Sequence, residues 1–254
     1  MEIRPGIELA NLSDVGCERS ENEDYYSYAE PEGEDEFEKR GRLAVVADGM
    51  GGHEGGQIAS GLAVDFVRQT YFSFPSDDPQ QALLEAFRSA QEAIQEWVGK
   101  YPEFRGMGTT CTAAVLRDGE LYYGHVGDSR LYLLRDSCIS RLTRDHSFVN
   151  RLLEQGLITP EQAAVHPERN VLTAALGMDS QVPVDLPETY IPLRPADILL
   201  LCTDGLHGLV NDDELLKVAS HYPPRDACRA LVEMAKKRGG PDNITLQIIR
   251  IASL

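Results

Sequence analysis

Asp48 stands between an apolar run, Leu43 to Ala47, and the stretch Gly49-Met50-Gly51-Gly52-His53. The run predicts a buried strand that stops at the carboxylate. Ile58, Leu62 and Phe66, spaced i, i+4, i+8, predict a helix after the glycines. Glycines at such a junction let the backbone approach a ligand and leave a carbonyl free to coordinate. Three readings are open: a strand–turn–helix junction with an incidental aspartate, a nucleotide-binding glycine loop, and a metal site. The glycine loop is the weaker, because Glu54 falls where the last Gly of G-x-G-x-x-G belongs and no G-K-[ST] follows. The acidic residues beside these glycines would also repel phosphate unless a cation lay between them.

The same design recurs. Val126-Gly127-Asp128-Ser129-Arg130 places an aspartate between two strand candidates. Leu199-Leu200-Leu201-Cys202-Thr203-Asp204-Gly205 repeats the apolar run ending in Asp-Gly, and Gly239-Gly240-Pro241-Asp242-Asn243 precedes a last apolar segment. Taken singly, each aspartate reads as a turn former. Taken together, Asp48 and Asp204 end runs too apolar for surface strands. Two buried strands delivering carboxylates to one edge require a cation there, since unpaired buried charge is costly. The donors are all oxygens, with no H-x-H and no cysteine cluster. That set suits Mg²⁺ or Mn²⁺ rather than Zn²⁺. Two such ions, roughly 3.5–4 Å apart, generate a hydroxide and clamp phosphate oxygens. Arg19 then suits a two-pronged grip on phosphate, and His53 a general acid that protonates the leaving oxygen.

Composition narrows the classes. The 254 residues, 42% hydrophobic and 26% charged, suffice for one large domain or two small ones. No run approaches roughly 18 apolar residues, so no membrane span is expected. Met1-Glu2-Ile3-Arg4-Pro5 lacks the apolar stretch of a signal peptide. Cys17, Cys111, Cys138, Cys202 and Cys228 form no C-x-x-C pair, so a reducing, cytoplasmic setting fits. A net charge of −17 argues against nucleic acid and anionic membranes; it suits divalent cations or basic protein partners, or simply aids solubility.

The elements that must position these residues follow from pattern. Strands are predicted at Ile7–Leu12, Tyr25–Ala29, Gly108–Leu116, Glu120–His125, Leu131–Leu134, Ile139–Leu142, Thr189–Leu193, Asp197–Cys202 and Ile244–Ile251. Asp118-Gly119 is a hairpin turn. Glu30 to Glu38, with six acidic residues in nine, reads as a solvated hairpin loop. Helices are predicted from Gly55 to Tyr71, from the Asp78-Pro79 start with Leu83, Phe87, Ala90, Ile94 and Trp97 on one face, from His146 to Gln155, after the Thr159–Gln162 capping box, after Asn211, and from Arg225 to Arg238. Hairpin-like strand runs with paired helices indicate an α+β fold of antiparallel sheets.

The chain resembles the metal-dependent protein serine/threonine phosphatases, the PPM or type 2C family, in its bacterial form. Eight motifs carry the resemblance, in order: R-S-E-N-E-D at Arg19–Asp24, D-G-M-G-G-H at Asp48–His53, G-T-T at Gly108–Thr110, G-D-S-R at Gly127–Arg130, L-T-R-D-H-S at Leu142–Ser147, R-N-V-L-T-A-A-L-G at Arg169–Gly177, T-D-G at Thr203–Gly205 and G-P-D-N-I-T at Gly240–Thr245. The resemblance implies a four-layer α-β-β-α sandwich, one phosphatase domain over residues 1–254, and a flap at about 148–170 beside the active site. It implies two core Mn²⁺ or Mg²⁺ ions: Asp48 bridging, the Gly49 carbonyl on the second ion, Asp204 and Asp242 completing the pair. Glu23 and Asp24 would hold bound water or touch one ion. Asp128 would share a third, weaker ion with Asp204. Arg19 would bind the substrate phosphate and His53 would be the acid. The implied reaction is hydrolysis of phosphoserine and phosphothreonine in proteins by metal-activated water, opposite a serine/threonine kinase in signalling. Two alternatives stand beside it: a small-molecule phosphohydrolase on the same ions, and a phosphoprotein-binding module without turnover.

Two features point elsewhere. Cys111 and Arg117 have the C-x5-R spacing of cysteine phosphatases, but the intervening residues include no glycine and read as a strand, so Cys111 is assigned to the core. His146 is assigned to a structural place at a helix start rather than to a metal.

Overall fold

The computed structural model describes residues 3–51, 54–178 and 182–253. Its strands are Ile7–Asp14 (β1), Asp24–Ala29 (β2), Arg42–Met50 (β3), Gly108–Thr109 (β4), Cys111–Arg117 (β5), Glu120–Val126 (β6), Arg130–Arg135 (β7), Cys138–Arg141 (β8), Ile191–Pro192 (β9), Ile198–Cys202 (β10) and Ile244–Ile251 (β11). Its α-helices are Glu34–Arg40 (α1), Gly55–Ser73 (α2), Pro79–Lys100 (α3), Phe148–Glu154 (α4), Pro160–Ala164 (α5), Asp204–His207 (α6), Asp212–His221 (α7) and Pro224–Lys237 (α8).

The uninterrupted apolar runs explain the layering. Successive strand residues face opposite sides, so a strand that is apolar throughout must be covered on both. In β3, Leu43, Val45 and Ala47 pack with α2 and α3, whereas Ala44 and Val46 face a core between the sheets. In β10, Ile198, Leu200 and Cys202 pack with α7 and α8, and Leu199 and Leu201 face the same central core. One sheet runs β1-β11-β10-β7-β8. The other runs β2-β3-β5-β6-β9, with β4 joined to β3. The pairings are antiparallel. The result is the α-β-β-α order expected from the sequence. The end caps are those the sequence spells out. Asp78 accepts hydrogen bonds from the Gln80 and Gln81 amides, and Thr159–Gln162 and Asn211–Glu214 form reciprocal capping boxes.

Consecutive strands β1 and β2 lie in different sheets, as do β6 and β7. The chain therefore crosses between sheets at residues 15–23 and again at 127–129. The registers Asp14↔Ile244, Cys202↔Arg130, Asp24↔Asp48 and Cys111↔Val126 put both crossings at one end of the sandwich. That end also receives the ends of β3 and β10.

Three expectations need correction. The strand does not stop at Asp48; β3 continues to Met50, because Asp48 pairs with Asp24, and Gly49 and Met50 pair with β4. The acidic segment is not simply a hairpin loop, since Glu34–Arg40 is helical. Glu34, Asp35 and Glu36 sit in its first turn and Lys39 and Arg40 in its last, matching the helix dipole. The guanidinium groups of Arg4 and Arg42 lie 4.5 and 4.8 Å from the Phe37 ring centroid and hold the helix down. Finally, the strand expected over Thr189–Leu193 shrinks to Ile191–Pro192, which pairs only with Glu120 and Leu121.

Candidate functional site

The crossing end gathers the acids. Asp48 comes from β3, Asp204 begins α6 directly after β10, Asp242 precedes β11, Asp128 lies in the β6–β7 crossing, and Arg19 and Glu23 lie in the β1–β2 crossing. With Gly49, Met50, Gly51, Thr110, Asn170, Val171, Leu172 and Met178 they line a cavity of about 480 Å³. Another cavity, about 510 Å³, lies at the far end of β3 and β5 around Phe37, Arg42, Leu116 and Arg117. It lacks the convergent aspartates, so size alone does not mark the chemistry.

Gly49 is needed for close approach as much as for any carbonyl. A Cβ there would sit 2.1 Å from the Gly56 carbonyl oxygen at the start of α2 and 2.7 Å from that of Glu23. Asp24 takes a different place from Glu23. It does not line the cavity and is 6% exposed, lying between the sheets. There the Thr203 hydroxyl donates to its Oδ2 at 2.8 Å, and its Oδ1 is buried without a hydrogen-bond partner. Arg19 reaches back across the cavity mouth, donating to Asp242 Oδ2 at 2.9 Å and standing 4.0 Å from Glu23. His53 and Gly52 lie outside the described residues.

Crowding of like charge shows in the titration of these groups. Burial first, then the neighbouring Asp24, Asp204, Asp128 and Asp242, raises the Asp48 carboxyl well above its usual range. Burial and Asp204 do the same to Asp128, and burial and Asp242 raise Asp204. Burial pushes Asp24 up to about 7 and also raises Glu23.

These observations test whether divalent cations fit. Oδ1 of Asp204, like that of Asp24, is buried without a hydrogen-bond partner. Orphaned carboxylate oxygens beside mutually repelling aspartates have the chemistry of a cation site. The donors are hard oxygens, as Mg²⁺ and Mn²⁺ prefer. Among the described residues no group of three His, Cys, Asp or Glu is already closed as a cage. Asp242 is instead engaged by Arg19. The residue types and their shared cavity fit; the closed geometry is what a cation would add.

Residues to which sequence reasoning gave no task hold this arrangement in place. The Asp48 amide donates to Thr110 Oγ1 at 2.9 Å, and Thr110 Oγ1 lies 2.7 Å from Ser129 Oγ. The Thr109 hydroxyl donates to the Asp48 carbonyl at 2.9 Å. Asn243 accepts from the Glu23 amide and donates to the Val15 and Glu21 carbonyls, fastening one crossing to the start of β11. His207 Nε2–H donates to the Asp128 carbonyl at 2.9 Å; burial and the nearby Arg130 push that imidazole down to about 3, so it is neutral. Thr109, Thr110 and Asn243 belong to motifs already noted, G-T-T and G-P-D-N-I-T. The two decoys fall as expected. Cys111 is buried in β5 and its thiol is pushed far up by burial, and His146 bonds to Gly127 and Asp185.

Comparison with known proteins supplies an independent line. Residues 22–243 match the family described as Protein phosphatase 2C. The protein phosphatase PhpP of Streptococcus pneumoniae is 35% identical over 248 residues, spanning 96% of this chain and 97% of the relative. The crystal structure of the serine/threonine phosphatase Stp1 from Staphylococcus aureus superposes with a TM-score of 0.88 at 32% identity, covering 100% of this chain and 98% of that one. The catalytic domain of the serine/threonine protein phosphatase PstP, solved in complex with two manganese ions, gives a TM-score of 0.84 at 34% identity, covering 98% of this chain and 99% of that one.

Proposed function

This chain belongs to the protein phosphatase 2C family, and we propose that its acidic cavity hydrolyses phosphoserine and phosphothreonine in proteins with manganese or magnesium as cofactor. It is a protein-serine/threonine phosphatase. The observation that carries the site assignment is the convergence of Asp48, Asp128, Asp204 and Asp242 with Arg19 on one cavity. Asp48, Asp204, Asp242 and the Gly49 carbonyl would hold two core ions, with Glu23 and Asp24 beside them, and Asp128 with Asp204 would hold a third, weaker one. When bound, these ions supply Lewis acidity, lowering the pKa of water and offsetting charge on the phosphoryl group.

The chain's own residues do the rest. Arg19 stands at the cavity mouth with its side chain about half exposed, placed to exchange the Asp242 carboxylate for a substrate phosphate. Water attacks phosphorus as the bond to the serine or threonine oxygen breaks, and His53 gives that oxygen a proton. Residues 148–170 form a flap: α4 and α5 lie over a second cavity of about 380 Å³ that shares Asp128, Asn170 and Asp204 with the first. Residues 1–254 are read as one phosphatase domain, supported by the central core that both sheets build. The physiological setting follows as part of the same proposal. A serine/threonine kinase supplies the substrates, and the five cysteines, all unpaired, support a reducing cytoplasm. Among the described residues no helix is long and apolar enough to cross a membrane.

The test is phosphate release from phosphoserine and phosphothreonine peptides, compared with small phosphate esters. Activity should vanish with excess EDTA and return with Mn²⁺ or Mg²⁺. Full activity in EDTA with no bound metal would refute the mechanism. Equal or better turnover of metabolite-sized esters would point to a small-molecule phosphohydrolase, and no turnover of any phosphate ester to a binding module.

A further inference from the structure

The L-T-R-D-H-S motif has no part in the reaction as described, yet it converges on the loop that carries Asp128. His146 grips Gly127 at two points: its amide donates to the Gly127 carbonyl at 2.7 Å, and its Nδ1 accepts from the Gly127 amide at 3.2 Å. An accepting Nδ1 places the ring proton on Nε2, which donates to Asp185 Oδ2 at 3.0 Å. Asp185 is itself fixed by reciprocal backbone hydrogen bonds with His125 in β6, both 2.9 Å. The His146 carbonyl accepts from the Thr173 amide at 2.7 Å, and Ser147 bridges to Leu172. Both roots of the flap are thus tied to one histidine, and that histidine is tied to the residue before Asp128.

Gly127 cannot be exchanged for another anchor. Its φ is +104°, and a Cβ would lie 2.5 Å from the Thr110 Cβ. Its amide and carbonyl are therefore the handles by which the loop is set. On the far side His207 holds the Asp128 carbonyl, Ser129 meets Thr110, and Arg130 makes a two-pronged ion pair with Asp145, at 3.0 and 2.7 Å. Ser129 and Arg130 are bonded to rigid core or to the start of the flap. Among the described contacts, the ring of His146 is a side chain that reaches Gly127 from the flap root.

We propose that His146, oriented by Asp185, is a positioning residue that sets the Gly127–Asp128 turn against the flap and so keeps the Asp128 carboxylate in place for the third, weakly held cation. The proposal rests on the reading of Asp128 given above. It explains why a histidine stands at a helix start where Ser147 already supplies the cap.

The experiment counts bound Mn²⁺ by electron paramagnetic resonance across a titration, beside phosphopeptide turnover at each concentration. His146→Ala should retain the two tightly bound ions and weaken the third by about tenfold, the size expected for one lost positioning hydrogen bond. The Mn²⁺ needed for half-maximal phosphopeptide turnover should rise in parallel. His146→Asn places an acceptor where Nδ1 was and should restore most of the weak binding. His146→Gln reaches only toward Asp185 and should not. Asp128→Ala is the reference and should lose the weak ion while keeping the tight pair. An unchanged weak site in Asp128→Ala refutes the underlying reading and the proposal with it. A lost weak site there beside an unchanged one in His146→Ala refutes the proposal alone. Should His146→Ala not fold, the Asn and Gln variants decide, and equal weak-ion affinity in the two overturns it.

Discussion

Asp24→Asn should cross the parent protein in stability as pH changes, provided divalent cations are withheld. The carboxyl lies between the sheets and is pushed from 3.8 to about 7, by burial first and then by Asp204 and Asp242, against the opposing hydrogen bond from Thr203. A shift of roughly three units amounts to about 4 kcal/mol for holding the charge in the folded state. In the unfolded chain the group ionises near its ordinary value. The folded protein therefore binds more protons between those two values, and stability falls as pH rises from about 4 to about 7, then levels. Asn keeps an acceptor for the Thr203 hydroxyl but leaves a buried amide where Oδ1 has no partner. That costs about 1–3 kcal/mol at every pH. The variant should thus be less stable than the parent near pH 4 and more stable, by about 1–3 kcal/mol, at pH 8. Urea unfolding in EDTA at a series of pH values measures both curves. With saturating Mn²⁺ at pH 8 the order should reverse, because the parent's charge is then compensated. A parent that is the more stable at every pH without cations would refute the view that this buried carboxylate is a liability awaiting a cation.

Three further outcomes follow from the site. Thr110→Val leaves the Asp48 amide without its acceptor and should cost about 1–3 kcal/mol in denaturation, with weaker Mn²⁺ binding by calorimetry. Cys111→Ser puts a hydroxyl into dry core and should lower stability by about 1–3 kcal/mol yet leave turnover nearly unchanged; abolished turnover in a folded variant would revive a cysteine nucleophile. His53→Ala should slow phosphopeptides by roughly 10²–10⁴-fold and p-nitrophenyl phosphate far less, since p-nitrophenolate leaves without a proton; equal losses in kcat would remove His53 from the catalytic residues.

What the sequence makes legible is what local pattern determines. Ile244–Ile251 is strand because its isoleucines and leucine fall on both faces of a short run, and Asn211 starts a helix because its own side chain and that of Glu214 cap each other's amides. The helix in the acidic segment is not legible locally, because Phe37 is held by Arg4 and Arg42, which lie outside the segment. Nothing within residues 30–38 announces those contacts. Similarly, glycines at 49 and 51 suggest a turn, but the backbone hydrogen bonds available from Thr109 extend the strand through the first of them. Register is a property of two segments, and one segment alone does not reveal it.

The pair Glu23 and Asp24 shows where such reading ends. Motif resemblance groups the two acids at the metal centre, one beside the other. The pleat separates them: consecutive residues entering a strand face opposite ways. Glu23 opens on the cavity, whereas Asp24, paired in register with Asp48, drops between the sheets onto Thr203. Thr203 is the residue just before Asp204, and its amide donates to the Thr245 carbonyl in β11. Asp24 therefore touches the side chain of Thr203, next to Asp204, rather than the cavity itself. Its charge still raises the Asp48 carboxyl, so it tunes the centre from beneath through both field and framework. Because the tie runs through Thr203, replacing that hydroxyl should disturb Asp24 and Asp204 together, a coupling that the linear order of the chain, with Asp24 and Thr203 179 positions apart, gives no means to foresee.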